Sequence, residues 1–123
     1  MTVKIWDPAT GQCVATLKGH SHPVNSVAWS YDSSRLASAS YDMTVKIWDP
    51  ATGQCVAMLK GHSHPVNSVA WSYDSSRLAS ASYDMTVKIW GPATGQCVAT
   101  FAIAWHISLT TPKILYDPVR NLS

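Results

Sequence analysis

The sequence predicts an all-β protein built from antiparallel four-stranded units that stack on one another, and three observations carry that prediction. The first is an internal repeat: Met1, Met43 and Met85 open copies 42 residues apart, and the first two copies differ only at Thr16 and Met58. The second is the content of one period. It holds four short runs rich in β-branched and aromatic residues, read in the first copy as "VNSVAWS", "RLASAS", "TVKIW" and "QCVATL". The third is that no window shows a helical period.

Each run is bounded by turn chemistry. Tyr31-Asp32-Ser33-Ser34 separates the first from the second, and Tyr41-Asp42 leads from the second to the third. Asp49-Pro50-Ala51-Thr52-Gly53 joins the third to the fourth, and Gly19-His20-Ser21-His22-Pro23 carries the chain to the next unit. Gly supplies positive φ, Pro presets φ, and Asp or Ser accepts backbone N–H groups. An antiparallel sheet of four such strands cannot bury both faces alone, so each copy must stack on another.

Composition excludes several function classes. Of 123 residues, 46% are hydrophobic and the net charge is only +2, a globular balance. The nine Lys and Arg are dispersed, without the basic stripe of a nucleic-acid footprint, so no nucleic-acid role is expected. No apolar run approaches a membrane span, and "MTVKIWDPAT" has neither the charged nor the apolar part of a leader. The expected location is cytoplasmic. Cys13, Cys55 and Cys97 recur at one place in the repeat, and their odd number speaks against a disulfide framework. They are expected to be small buried hydrophobes.

The residues also resemble a known family. Gly19-His20 at the start of a period, Ser40-x-Asp42 in its middle and Trp48-Asp49 at its end look like the WD repeat, the blade unit of the β-propeller. The resemblance covers residues 1–101 and implies a partial propeller: a half blade at 1–17, a full blade at 24–59 and a second at 66–101. The chain thus opens in mid-blade, as a fragment of a larger array would. The near-identity of the copies is further similar in style to the C-terminal repeat arrays of fungal NACHT-type signal-transducing ATPases of the innate-immunity class.

Residues 102–123 form a divergent tail to which no function is assigned. "IAW" at 103–105 echoes "VAW" at 27–29, and Tyr116-Asp117 echoes Tyr41-Asp42.

The resemblance also implies a role for the histidines. It points to two structural sets, His20, Ser40, Asp42, Trp48 and His62, Ser82, Asp84, Trp90, in which the His bonds a strand Ser and the turn Asp and the Ser meets the Trp. Ser40 in preference to Ser38 is part of what the resemblance implies, since both lie on one face of the strand. A metal site is not expected, because His20-x-His22 and the Cys seven residues earlier lack zinc-ligand spacing. No cofactor is expected either: the six glycines stand singly and make no phosphate-cradling loop.

Catalysis is not expected. The serines lie in strands, without the strained elbow that exposes a nucleophile, and there is no Glu. Trp6, Trp29, Trp48, Trp71 and Trp90 are expected in the core. Tyr41 and Tyr83, with Pro23, Asn25, Pro65 and Asn67 beside them, fall where the family exposes side chains on one rim of the propeller, a place for a protein partner. The expected function is a non-catalytic protein-interaction scaffold, the recognition or sensor part of a larger signalling protein. Two alternatives stand beside it: a structural unit whose open blade faces close a ring by homo-oligomerisation, and a truncated gene product with no independent function.

Overall fold

Why each period makes its strands is legible in the burial pattern of a computed structural model, which describes residues 1–103. Ten strands follow one another: β1 (Val3–Trp6), β2 (Cys13–Leu17), β3 (Val24–Trp29), β4 (Leu36–Ser40), β5 (Val45–Trp48), β6 (Cys55–Leu59), β7 (Val66–Trp71), β8 (Leu78–Ser82), β9 (Thr86–Gly91) and β10 (Gln96–Ala102). They form three antiparallel sheets, β1-β2, β3-β4-β5-β6 and β7-β8-β9-β10, and the described residues contain no helix. Each four-stranded sheet is a meander of sequential hairpins. Among the described residues the sheets are separate blades that do not close into a ring.

Leu36–Ser40 and Leu78–Ser82 are buried at every position. In β4 the alternating Ala and Ser are small enough for the half blade and the second full blade to close on the two faces of the sheet. Between the two full blades, Ala37, Ala39, Val45, Ile47 and Leu59 form one core with Val66, Val69, Trp71, Leu78 and Trp90. Between the half blade and the first full blade, Val3 and Leu17 pack with Leu36 and Trp48. Complete burial of each Val, Leu or Ile among them stabilises by about 1.5–3 kcal/mol, so the blade interfaces hold the array together.

Two irregularities recur, one in both full blades and one in all three sheets. In β3 the register slips between Val24 and Ser26, so Asn25 is an extra residue, and its amide turns out to donate to the Val66 carbonyl of the next blade at 2.9 Å. In the outer strands the register slips after the Cys: Trp6 pairs with Cys13 while Ile5 pairs with Ala15. That bulge leaves Val14 exposed, and Val56 and Val98 likewise.

It also corrects the expectation for the cysteines. Cys13, Cys55 and Cys97 are exposed free thiols, because they lie at the start of an outer strand of each sheet, and each leans on the carbonyl two residues on at 3.3 Å.

The tryptophans divide more sharply than expected. Trp48, Trp71 and Trp90 are buried, whereas Trp6 and Trp29 are exposed, a correction to the reading of all five as core. Trp71 is covered by the first full blade, which has an inner strand to offer; Trp29 faces the half blade, whose two strands β1 and β2 pack with Leu36, Trp48 and Val24 and leave it uncovered.

Gly91 in place of Asp has a local effect. Asp7 and Asp49 accept the N–H two residues on at 2.9 Å, and β5-β6 pairing begins at Trp48–Cys55. Without that carboxylate, Thr94 Oγ1 donates to the Gly91 carbonyl at 3.2 Å and the ladder extends to Gly91–Gln96. β10 continues to Ala102, and Ile103 N donates to the Met85 carbonyl. The tail echoes noted from residue 104 onward lie outside the described residues.

Candidate interaction rim

The Gly-His loops and the β4-β5 and β8-β9 turns lie at one end of the sheets, called here the upper rim. Local chemistry makes that rim rigid. Gly19 and Gly61 adopt φ of 156° and 153°, and a Cβ on either would stand 3.3 Å from the Trp48 or Trp90 ring, so a side chain there would crowd the indole. The loop thereby delivers His20 and His62 into the blade.

His20 Nδ1 lies 2.8 Å from Asp42 Oδ2 and its Nε2 lies 2.6 Å from Ser38 Oγ, while Trp48 Nε1 donates to the same Ser38 oxygen at 2.8 Å. The second blade repeats this: His62 meets Asp84 at 2.8 Å and Ser80 at 2.7 Å, and Trp90 Nε1 donates to Ser80 at 2.8 Å. The serine hydroxyl accepts from the indole and so has its own proton to give to the imidazole, which leaves Nδ1–H to donate to the carboxylate.

The serine expectation is therefore corrected from Ser40 and Ser82 to Ser38 and Ser80. Ser40 and Ser82 are buried as well, but they close the turn. Ser40 Oγ donates towards the His22 and Pro23 carbonyls, both at 3.0 Å, and accepts from Asp42 N at 3.0 Å. Strand pairing decides between them. Ser38 stands opposite Lys46 in the interior of β4, within reach of the Trp48 indole, while Ser40 sits at the strand end where Val24 crosses.

The charges follow from these partners. Burial lowers the pKa of His20 and His62 below 6.5, and the neighbouring carboxylate only partly offsets it. Burial alone would push Asp42 and Asp84 up, but hydrogen bonds from Thr44 and His20, and from Thr86 and His62, together hold them down at about 2. At neutral pH each set is a neutral imidazole on an ionised carboxylate. The hydroxyl between indole and imidazole is buried, so the arrangement is a structural clamp and offers no reacting group to solvent.

On this clamp stand the rim residues. Tyr41 N donates to the Pro23 carbonyl at 3.0 Å and Tyr83 N to the Pro65 carbonyl at 3.1 Å, which pins each tyrosine's backbone. Their side chains are 48% and 56% exposed. Pro23 is exposed and Pro65 half-buried. Asn67 is half-buried, whereas the Asn25 amide serves the blade interface.

Sequence reasoning missed a second aromatic feature on the opposite rim. Tyr31 and Tyr73, 62% and 84% exposed, meet edge to face with ring centroids 4.7 Å apart. The signal was present in the repeat, since residues one period apart fall on adjacent blades. Among the described residues, no cluster of three His, Cys or Asp could hold a metal ion.

The comparisons with known proteins agree with this geometry. The WD40 family, described as "WD domain, G-beta repeat", matches residues 11–49 and 53–91. Nuclear distribution protein PAC1-2 of Uncinocarpus reesii (strain UAMH 1704) is 50% identical over 42 residues, which is 34% of this chain and 9% of that protein. The chain thus spans about a tenth of that relative's length, the extent of one repeat. With its two matched repeats covering more than half its length, the chain belongs to the WD40 repeat family, whose members are in general non-catalytic scaffolds for protein–protein interaction.

Proposed function

We propose that this chain is the recognition part of a larger signalling protein and binds a protein partner across the upper rim. The observation that carries the reading is the pair Tyr41 and Tyr83. They are exposed aromatics at one place in successive blades, each pinned at its backbone and seated beside a buried His-Asp clamp. Rigid aromatic anchors bind at little entropic cost. Three exposed thiols suit a reducing compartment, which supports a cytoplasmic location.

Replacing both tyrosines by Ala is expected to weaken partner binding by more than about 1 kcal/mol per anchor while leaving the fold unchanged. Equal affinity for the wild type and the double variant would move the site to the sides or the lower rim. The style of the repeats supports a NACHT-type parent, and the transcript upstream of Met1 tests it: an ATPase domain in frame supports the signalling role, and a stop codon immediately before Met1 removes it. The nuclear-distribution role in the name of PAC1-2 does not transfer, because one shared repeat carries the blade fold and not a partner surface.

A second reading, self-assembly, draws on Val27 and Trp29. They are exposed in β3, while Val69 and Trp71 at the same places in β7 are covered by a neighbouring blade. An apolar face of this kind takes another blade, from further repeats or from a second copy. A concentration-dependent mass in sedimentation supports the second copy, and a monomer throughout the micromolar range removes it.

A further inference from the structure

A groove of about 520 Å³ runs along the upper rim of the first full blade, from the Gly19 loop to the Gly61 loop. Lys46 and Lys60 stand in it with Met43, Met58 and Asp42. Asp42 is its one carboxylate and is already engaged: Oδ2 takes His20 Nδ1 and Ser21 N, and Oδ1 takes Thr44 N and Oγ1. The lysines are not. Lys46 Nζ has a single partner, the Met58 sulfur at 3.3 Å, which is a weak acceptor, and Lys60 has no hydrogen-bond partner among the described residues. The groove therefore combines two ammonium groups with unspent donors and two exposed, unbranched thioether side chains.

Met58 sets this groove apart. It is the one position at which the first two 42-residue copies differ. The equivalent lysines elsewhere donate to hydroxyls, Lys4 to Thr16 at 3.3 Å and Lys88 to Thr100 at 3.1 Å. There the ammonium has a better acceptor and the wall is shorter and polar. Only at Lys46 does the ammonium lie over a pliable apolar surface. A ligand that suits both features carries carboxylates on either side of an apolar residue.

We propose that the groove bounded by Lys46, Met58 and Lys60 binds a short acidic peptide segment, its Asp or Glu carboxylates on the two lysines and an apolar side chain between Met43 and Met58. The proposal rests on the reading of the upper rim as the interaction surface and names the chemistry of the partner there. Both the charge and the apolar contact are required. The groove thus discriminates against basic segments by repulsion and against plain polar ones by leaving the methionines uncovered.

The test is a fluorescence-anisotropy titration of the full chain at low salt with a labelled peptide, acetyl-Glu-Glu-Leu-Glu-Glu-amide. Saturable binding is expected, weakened by added salt, with none for the Lys-Lys-Leu-Lys-Lys counterpart. Lys46→Glu with Lys60→Glu is expected to weaken binding by about tenfold or more. Met58→Thr, which installs the residue that the first copy carries, is expected to weaken binding about threefold with an unchanged unfolding midpoint.

Absence of binding to the wild type, or equal binding by the double lysine variant with a native circular-dichroism spectrum, overturns the proposal. So does binding only when a phosphoserine replaces a glutamate, which would assign the groove to phosphate. If the tyrosine double variant loses a protein partner while the acidic peptide fails to bind, the groove is refuted and the upper-rim reading stands.

Discussion

The Trp71 indole N–H donates to the Ala28 carbonyl across the blade interface at 2.9 Å, while Trp29, in an identical stretch of sequence, is 47% exposed. One residue type in one local context therefore has two energetic roles, set by what the neighbouring blade supplies. Trp71→Ala is expected to cost about 3–5 kcal/mol, as large-to-small changes in a packed core do. Trp29→Ala should cost less than about 1 kcal/mol, the range of exposed substitutions. Denaturant midpoints of the two variants check this, and equal losses would contradict it.

The clamps predict a difference between two serines that strand pattern alone does not separate. Ser80→Ala removes the oxygen shared by His62 and Trp90 and should cost about 1–3 kcal/mol. It should also move the NMR titration of His62. Ser82→Ala breaks the turn contacts to His64, Pro65 and Asp84 N and also destabilises, but leaves the His62 titration in place. A shift of His62 on Ser82→Ala, with none on Ser80→Ala, would reverse the assignment.

Stability should fall on acidification in two stages. His20 and His62 titrate below the 6.5 of the unfolded chain, so as pH drops through 6.5 the unfolded state takes up protons first and is favoured. Their contribution is complete above that value and declines below it. Asp42 and Asp84, held at about 2 against 3.8, contribute stability that is present above about pH 4 and is lost as pH falls towards 2. Unfolding midpoints measured from pH 8 down to pH 3 check the profile. His20→Gln with His62→Gln should lack the upper stage and keep the lower one.

Two turns carry removable strain. Met43 and Met85 adopt φ of 72° and 67°, and each closes its turn by donating N–H to the Ser40 or Ser82 carbonyl at 3.2 Å. A left-handed non-glycine residue costs about 1–2 kcal/mol. Glycine relieves that but loses about 0.5–1 kcal/mol of chain entropy. Met43→Gly and Met85→Gly should each raise stability by about 0.5 kcal/mol on balance, read as a higher thermal midpoint.

The sequence by itself determined the strands, their antiparallel order and the need for blades to stack. A 42-residue period with four β-rich runs separated by Asp, Gly and Pro turns leaves few other arrangements, because strand pairing between sequential hairpins is a local matter. The resemblance to the WD repeat, in turn, implied that His20, Asp42 and Trp48 share one neighbourhood, as they do. Tertiary structure decided what local sequence does not carry. The choice of Ser38 over Ser40 depends on which hydroxyl the Trp48 indole reaches across the sheet, since two residues on one face of a strand look alike to any pattern. The fate of the cysteines depends on β2, β6 and β10 being outermost in their sheets, and the hydrogen bond from the Asn25 amide to the Val66 carbonyl depends on the next blade being there. Trp29 and Trp71 make the physical reason plain: burial is a property of the space around a residue, and identical repeats occupy different spaces once they are stacked in order.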